Sequence, residues 1–331
     1  MKNDSQLKLE IIANIEGLKN IDSVLVLKDG RIAIGTQCLK IYDKKTFNFD
    51  FEISIKEYLD KDNNDFTFKN IMYLKNGDIL INNRRKIFFI IKIIDNEKKF
   101  NILEKFESKC TFPINARICE LSNNSISTIG VHYDIEFFSK NENNKYYSIK
   151  IIKNAHKRDG YKTLIEIPNN RIMSFSGKLR EFKVWNLNNY ECIFTGEISE
   201  PECYGNKIDL ILNRYVLIES LGGLTIIDID NNYNQYIALK YAQIYSMMRL
   251  NEKEYLILTT KNNIEKIAFD VDKLEFKIEN SKYFLSKNGY SLGHILLKLR
   301  DNTYITYFQK NEYSSSEGCD TPLLIFKYNI N

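Results

Sequence analysis

Seven times along the chain a β-rich run breaks at a short turn of Asp, Asn or Gly type, and these turns recur at a nearly fixed interval. They are Asp29-Gly30, Asn76-Gly77, Asn123-Asn124, Asn169-Asn170, Asn213-Arg214, Asn251-Glu252 and Asp301-Asn302. The steps between them are 47, 47, 46, 44, 38 and 50 residues. A period of about 20–50 residues marks stacked supersecondary units, because a single irregular core has no reason to repeat its turns.

Runs rich in Ile, Val, Tyr and Phe flank the turns. One precedes the turn, as at 23–27, 70–74, 117–121, 163–167 and 245–250; another follows, at 31–36, 78–82, 125–130, 171–176, 215–220, 254–259 and 303–308. This is the hairpin signature, since Gly, Asn and Asp tolerate the positive φ that tight turns require. A third run follows at 39–42, 87–93, 135–138, 182–187, 224–229, 264–269 and 323–328. In most repeats a fourth comes next, at 47–53, 100–106, 146–152, 191–195 and 276–279. Four antiparallel strands repeated seven times predict an all-β chain folded as a seven-bladed β-propeller. The blades fall near 17–53, 66–106, 114–152, 161–195, 207–240, 243–280 and 291–328, within a single domain over 1–331. The last repeat reaches only its third strand, while an unassigned apolar run at 7–15 precedes the first hairpin. Pairing 7–15 onto the last repeat closes the ring and leaves no long ring-closing edge exposed.

The fourth repeat carries the most specific residues. His156 stands before its first strand, Leu164-Ile165-Glu166-Ile167 form that strand, and Asn169-Asn170 form the turn. Ile172-Met173-Ser174-Phe175-Ser176 and Phe182-Lys183-Val184-Trp185-Asn186 follow. In this order the segment resembles a WD40 repeat, with a small-residue strand and an ending close to the family's Trp-Asp. The first repeat is similar through Asp29-Gly30-Arg31-Ile32-Ala33-Ile34-Gly35-Thr36 and Lys40-Ile41-Tyr42-Asp43. The resemblance implies a buried hydrogen-bonded set in which His156, Ser174 and Trp185 take the family's His, Ser/Thr and Trp places. The family's fourth member is an Asp, and the turn between Ser176 and Phe182 has none, offering Lys178, Arg180 and Glu181. The chain therefore reads as a WD40-like propeller of degenerate repeats. The family's usual work, holding partners in a complex, implies a non-enzymatic scaffold or subunit.

Composition fits one large β body. Hydrophobic residues make up 44% and aromatics 13%, enough for an extensive core, while only 4 prolines and no Gly/Ser-rich stretch leave no visible linker. The wealth of Asn, Lys, Ile and Tyr fits an AT-rich genome. The first ten residues are polar and lack the apolar core of a secretory leader. The longest apolar stretch, Ile87 to Ile94 with Lys92 inside it, falls far short of the ~20 residues of a membrane span. The six cysteines lack the close spacing of a zinc site. A cytoplasmic location, or a nuclear one, is expected.

Residues able to do chemistry are scattered. His132, His156 and His294 lie far apart in sequence. Asp228 with Asp230, and Asp270 with Asp272, place paired carboxylates on one side of a strand, as general acid–base chemistry needs. Both pairs fall where a third strand runs into its turn, a place where Asp caps the backbone. Gly222-Gly223 lacks the helix and the Lys-Ser/Thr pair of a phosphate loop. The expectation is no catalytic, cofactor-binding or metal-binding residue and no cofactor. The alternative is a lactonase or sugar-processing propeller that gathers its ligands at the central channel mouth.

Two basic clusters remain, Arg84-Arg85-Lys86 between the second and third strands of the second repeat and Lys157-Arg158 before the fourth. The double Arg resembles the Phe-Arg-Arg-Gly of phosphoinositide-binding propellers, with Asn83 and Lys86 in place of its flanks. A nucleic-acid footprint needs a clearly basic domain, and the net charge is only +4. A protein partner fits better than lipid or nucleic acid. In a propeller, the connections from second to third and from fourth to first strands share one face, and the Asn/Asp turns occupy the other. The first of these, the loop face, would gather Arg84, Arg85, Lys86, His132, Lys157, Arg158, Lys178, Arg180 and Lys261, with Tyr204 and Tyr290 ahead of first strands. Arg and Tyr anchor interfaces, so this face is expected to dock an acidic partner protein.

Overall fold

The computed structural model describes residues 10–18, 21–59, 68, 70–83, 86–94, 98–110, 118–130, 134–156, 162–176, 180–199, 208–220, 222–240, 244–260, 263–283, 290–292, 295–300, 302–310 and 323–328. Successive side chains of a strand point to opposite faces of its sheet, and in this chain both faces are apolar. In the strand Ile32–Gly35, Ile32 and Ile34 pack against Leu299, Ile305 and Leu323, whereas Ala33 packs the other way against Ile71 and Ile79. A sheet greasy on both sides cannot stand alone and must be sandwiched between neighbours.

The repeats do this as seven antiparallel sheets in a ring. Blade 1 is Ser23–Val26, Ile32–Gly35, Leu39–Tyr42 and Phe49–Ile53; blade 2 is Asn70–Tyr73, Ile79–Asn82, Ile87–Ile94 and Lys99–Glu107. Blade 3 is Ile118–Glu120, Ile126–Ile129, Ile135–Lys140 and Tyr146–Ile152; blade 4 is Lys162–Ile167, Arg171–Ser176, Glu181–Asn186 and Cys192–Glu197. Blade 5 is Ile208–Ile211, Tyr215–Ser220, Gly223–Asp228 and Asn234–Lys240; blade 6 is Ile244–Arg249, Glu254–Thr259, Asn263–Asp270 and Glu275–Tyr283. In each, the four strands pair in chain order.

Blade 7 draws on both ends of the chain. Leu297–Arg300 pairs with Thr303–Lys310, which pairs with Leu323–Lys327, and Glu10–Ile15 completes the sheet through Glu10 opposite Lys327, Ala13 opposite Ile325 and Ile15 opposite Leu323. The expected closing strand is therefore in place over its described part. A fifth piece, Tyr290–Leu292, pairs with the far end of Thr303–Lys310. Tyr290 thus lies within the innermost strand, in an upstream piece of it, and not ahead of that strand as the sequence suggested. The interrupted strand also explains the long final step of 50 residues, just as the short link from Lys240 to Ile244 explains the step of 38.

Among the described residues the core divides into seven clusters, one for each junction between blades. The junction of blades 7 and 1 is built like the rest, with Ile15, Leu299, Ile305 and Ile325 against Val24, Ile32 and Tyr42. Each fully buried Phe, Leu or Ile in such a junction contributes roughly 1.5–3 kcal/mol.

The turns between first and second strands stitch the blades together at the repeat interval. The backbone N–H of Lys28 donates to the Tyr73 hydroxyl at 2.8 Å, that of Lys75 to Glu120 Oε2 at 2.6 Å, and that of Ser122 to Glu166 Oε2 at 2.8 Å. The partners are 45, 45 and 44 residues apart. Pro168 occupies the same place in blade 4 and has no N–H to give.

Candidate interaction face

In an antiparallel four-stranded blade the connection from second to third strand and the exit from the fourth emerge together. This loop face is the one to which the sequence assigned the residues expected to bind a partner. Arg84, Arg85, His132, Lys157, Arg158, Lys178, Tyr204 and Lys261 lie outside the described residues, and of Tyr290 only the backbone is described. Lys86 and Arg180 can be placed, and they occupy equivalent positions. Each directly precedes a third strand, Ile87–Ile94 or Glu181–Asn186, and each has left-handed backbone, with φ of 81° and 54°.

A non-glycine residue held there costs on the order of 1–3 kcal/mol unless its surroundings fix it. Both are fixed in the same way. The carbonyl of Lys86 accepts from Ser108 N at 2.9 Å and that of Arg180 from Ile198 N at 2.5 Å, so the chain leaving each fourth strand clamps the residue that opens the third. Both cations are half-buried, and among the described residues neither has a carboxylate within ion-pair distance. Asp134 fills the same place in blade 3 and does the tethering with its side chain, accepting from Asn154 N at 2.8 Å.

Beneath this face lies a buried polar layer. His156, Ser174 and Trp185 are joined as the sequence implied. Trp185 Nε1 donates to Ser174 Oγ at 2.8 Å, Ser174 Oγ lies 2.7 Å from His156 Nε2, and the other ring nitrogen, Nδ1, lies 2.7 Å from Glu181 Oε2. Glu181 therefore takes the fourth place that the missing Asp left open. The His156 hydrogen bond is the main cause that holds the Glu181 carboxyl below its ordinary value. Lys183, two residues on, sits 3.6 Å from the same carboxylate and donates to the Ala155 carbonyl at 2.7 Å, tying blade 4 to the chain leaving blade 3.

Glu136 does the equivalent work one blade earlier. It is fully buried, accepts from Lys109 N at 3.1 Å and Cys110 N at 3.3 Å, and bonds the Ser108 hydroxyl. Its register opposite Thr128 matches that of Lys183 opposite Ser174. The sequence offered one signal for it: a carboxylate between Ile135 and Phe137 in a strand with two apolar faces has no route to water.

The paired aspartates are occupied by structure. Asp228 accepts both arms of the Arg214 guanidinium, at 2.9 and 2.7 Å, and caps Asp230 N at 3.2 Å. The Arg214 hydrogen bonds are the chief reason its carboxyl titrates below the usual range. Asp270 pairs with Lys277 at 2.9 Å and accepts from Lys273 N at 3.3 Å. Burial first, and then the nearby Glu136 and Asp134, push the Cys110 thiol up to about 12, so it carries no thiolate near neutral pH. Among the described residues no three His, Cys, Asp or Glu side chains converge as a metal-binding group. No described helix is long and apolar enough to cross a membrane.

These features define the class: a seven-bladed β-propeller closed by its N-terminal strand. Neither a scan of protein-family models nor a search of curated proteins returns a match to the chain.

Proposed function

We propose that the protein is a WD40-like, non-enzymatic scaffold that docks an acidic partner protein on its loop face, and that it works in the cytoplasm. One observation carries this reading. Lys86 and Arg180 are locked by left-handed backbone and a shared backbone clamp, half-buried and without a carboxylate partner among the described residues. A cation whose backbone is fixed and whose charge is uncompensated is presented at a set place on the face and attracts an opposite charge from a distance. Arg84 and Arg85, in the connection that Lys86 ends, and Lys157 and Arg158, in the connection entering the fourth repeat, lie outside the described residues and by sequence would add to that field. The tetrad of His156, Ser174, Trp185 and Glu181 supports the WD40-like reading, since it joins the residue types of the family's buried set in the same order, with Glu in place of Asp.

The test is affinity purification from the native cell with the full chain and with Arg84, Arg85, Lys157 and Arg158 all changed to Glu. The expected result is loss of the principal partner with an unchanged melting temperature, and for the unaltered chain a capture that weakens as salt rises. Retention of the same partner after charge reversal would overturn the reading.

A further inference from the structure

The face opposite the loops, formed by the Asn/Asp turns, holds a cleft of about 390 Å³ between blades 1 and 2. Its floor is apolar: Leu27, Ile79 and Ile91 belong to the core shared by these blades. Tyr73 forms one wall, anchored by the hydrogen bond that its hydroxyl accepts from Lys28 N. The Lys28 side chain folds back across the mouth, with its ammonium 5.3 Å from the centre of the Tyr73 ring. Gly77 makes that position available, since a Cβ there would stand 2.5 Å from Lys28 Nζ.

Among the described residues the charges lining the cleft do not cancel. Among the described lining residues the cations are Lys28, Arg31 and Lys92, and the acid is Asp29. Asp29 is committed to Arg31, accepting from its Nε at 2.6 Å and its backbone N at 3.0 Å. Asp50 lies just outside and pairs with Lys98 at 2.5 Å. Lys28 and Lys92 are left without a carboxylate among the described residues, above a greasy floor. A cation resting on an aromatic ring keeps its full charge for an incoming anion.

We propose that this cleft is a second binding site, which takes a peptide segment of a partner protein carrying one bulky apolar side chain flanked by carboxylates. The volume lies at the lower end of the range for ligand sites and suits one large side chain with the backbone on either side. The apolar group enters against Tyr73 and Ile93, the half-buried apolar residues of the lining, and the acids meet Lys28 and Lys92. The site stands apart from the partner face proposed above, so either can fail without the other.

The probe is a fluorescein-labelled Gly-Glu-Phe-Asp-Gly-Gly peptide, titrated onto the full chain by anisotropy at low salt. Two control peptides replace the acids by Gln and Asn, or the Phe by Ser. We expect saturable binding that weakens by about tenfold or more with either control and with K28E/K92E, while K86E/R180E binds the peptide as the unaltered protein does. Both lysines are exposed, so the double variant should keep its fold, and its melting curve verifies this. No saturation by about 1 mM peptide, equal affinity for the uncharged peptide, or unchanged affinity of K28E/K92E would each overturn the proposal. Sedimentation revealing self-association that K28E/K92E abolishes would assign the cleft to a second copy of this chain and overturn it likewise.

Discussion

The Ser174 hydroxyl is the pivot of the blade 4 tetrad, and its removal gives the clearest energetic test of the fold's one specific motif. Ser174 is fully buried, and its Oγ accepts from Trp185 Nε1 at 2.8 Å while lying 2.7 Å from His156 Nε2. Ser174→Ala removes one oxygen, too little volume for a sizeable cavity, so the cost comes from the two partners left behind. Each buried group stripped of its bond costs about 1–3 kcal/mol. Because the two share one oxygen, their costs are not fully additive, and about 2–4 kcal/mol is expected. That is a large share of the ~5–15 kcal/mol that separates most folded domains from their unfolded chains.

Trp185 is the only Trp, so its fluorescence reports unfolding in urea and the polarity around the indole together. Thr225→Val is the control. That hydroxyl is also fully buried but has no hydrogen-bond partner among the described residues, so replacing it with a methyl should be neutral or mildly stabilising. A loss below about 1 kcal/mol for Ser174→Ala, or one no larger than that of Thr225→Val, would refute the reasoning.

Two further outcomes follow from the same geometry. The Glu181 carboxyl is held below its ordinary value chiefly by His156, and that of Asp228 by Arg214. A lowered folded pKa means stability that is fully present above the unfolded value of roughly 4 and is lost as pH falls through the folded one. The melting temperature of the unaltered chain should therefore drop below about pH 4, and its lead over Glu181→Gln should be widest at neutral pH and shrink in acid; a gap constant from pH 7 to pH 3 would contradict this. Deleting residues 1–16 removes the strand that completes blade 7 and should lower the melting temperature by more than ~5 °C, whereas a change of a degree or two would contradict closure by Glu10–Ile15.

The turns were legible because their chemistry is local. Gly30, Gly77, Asn124 and Asn170 all adopt positive φ, as Gly and Asn do at least cost. Asp29, Asn76 and Asn123 each accept from the backbone N–H two residues on, at 3.0 Å, which makes the turn recur as a chemical unit. Where tertiary pairing decides, the sequence misleads slightly. Ile211 pairs with Tyr215, which pushes the left-handed residues of blade 5 onto Leu212 and Asn213 instead of Asn213 and Arg214. Asn251 has no left-handed backbone and instead accepts from Lys253 N and Glu254 N, each at 3.0 Å. Glu181 was named only beside Lys178 and Arg180 in a turn lacking the family's Asp, and the sequence did not single it out as the acid. A Glu at the first strand position reaches His156 instead. The partner-binding residues could be only proposed from sequence, since loop cations obey neither the two-residue alternation nor the repeat period.

The blades also constrain where function can reside. All seven pairings between third and outermost strands carry a register shift, so an extra residue bulges from each outer edge. The extra residues include Leu103, Ile149 and Ile193, which are exposed, while Ile11, Phe49, Ile237 and Ile278 stand exposed beside theirs. A bulge twists the edge and interrupts its hydrogen-bonding row, which discourages another chain from adding a strand there. Each blade therefore exposes one or two apolar side chains on an edge that resists pairing. These residues are spaced one blade apart, and isolated apolar groups are ordinary surface. With both sheet faces spent on neighbouring blades and the edges bulged, ligands are left the two ends of the blades. One end displays cations clamped by left-handed backbone; the other opens a cleft whose lysines are unmatched by acids among the described residues.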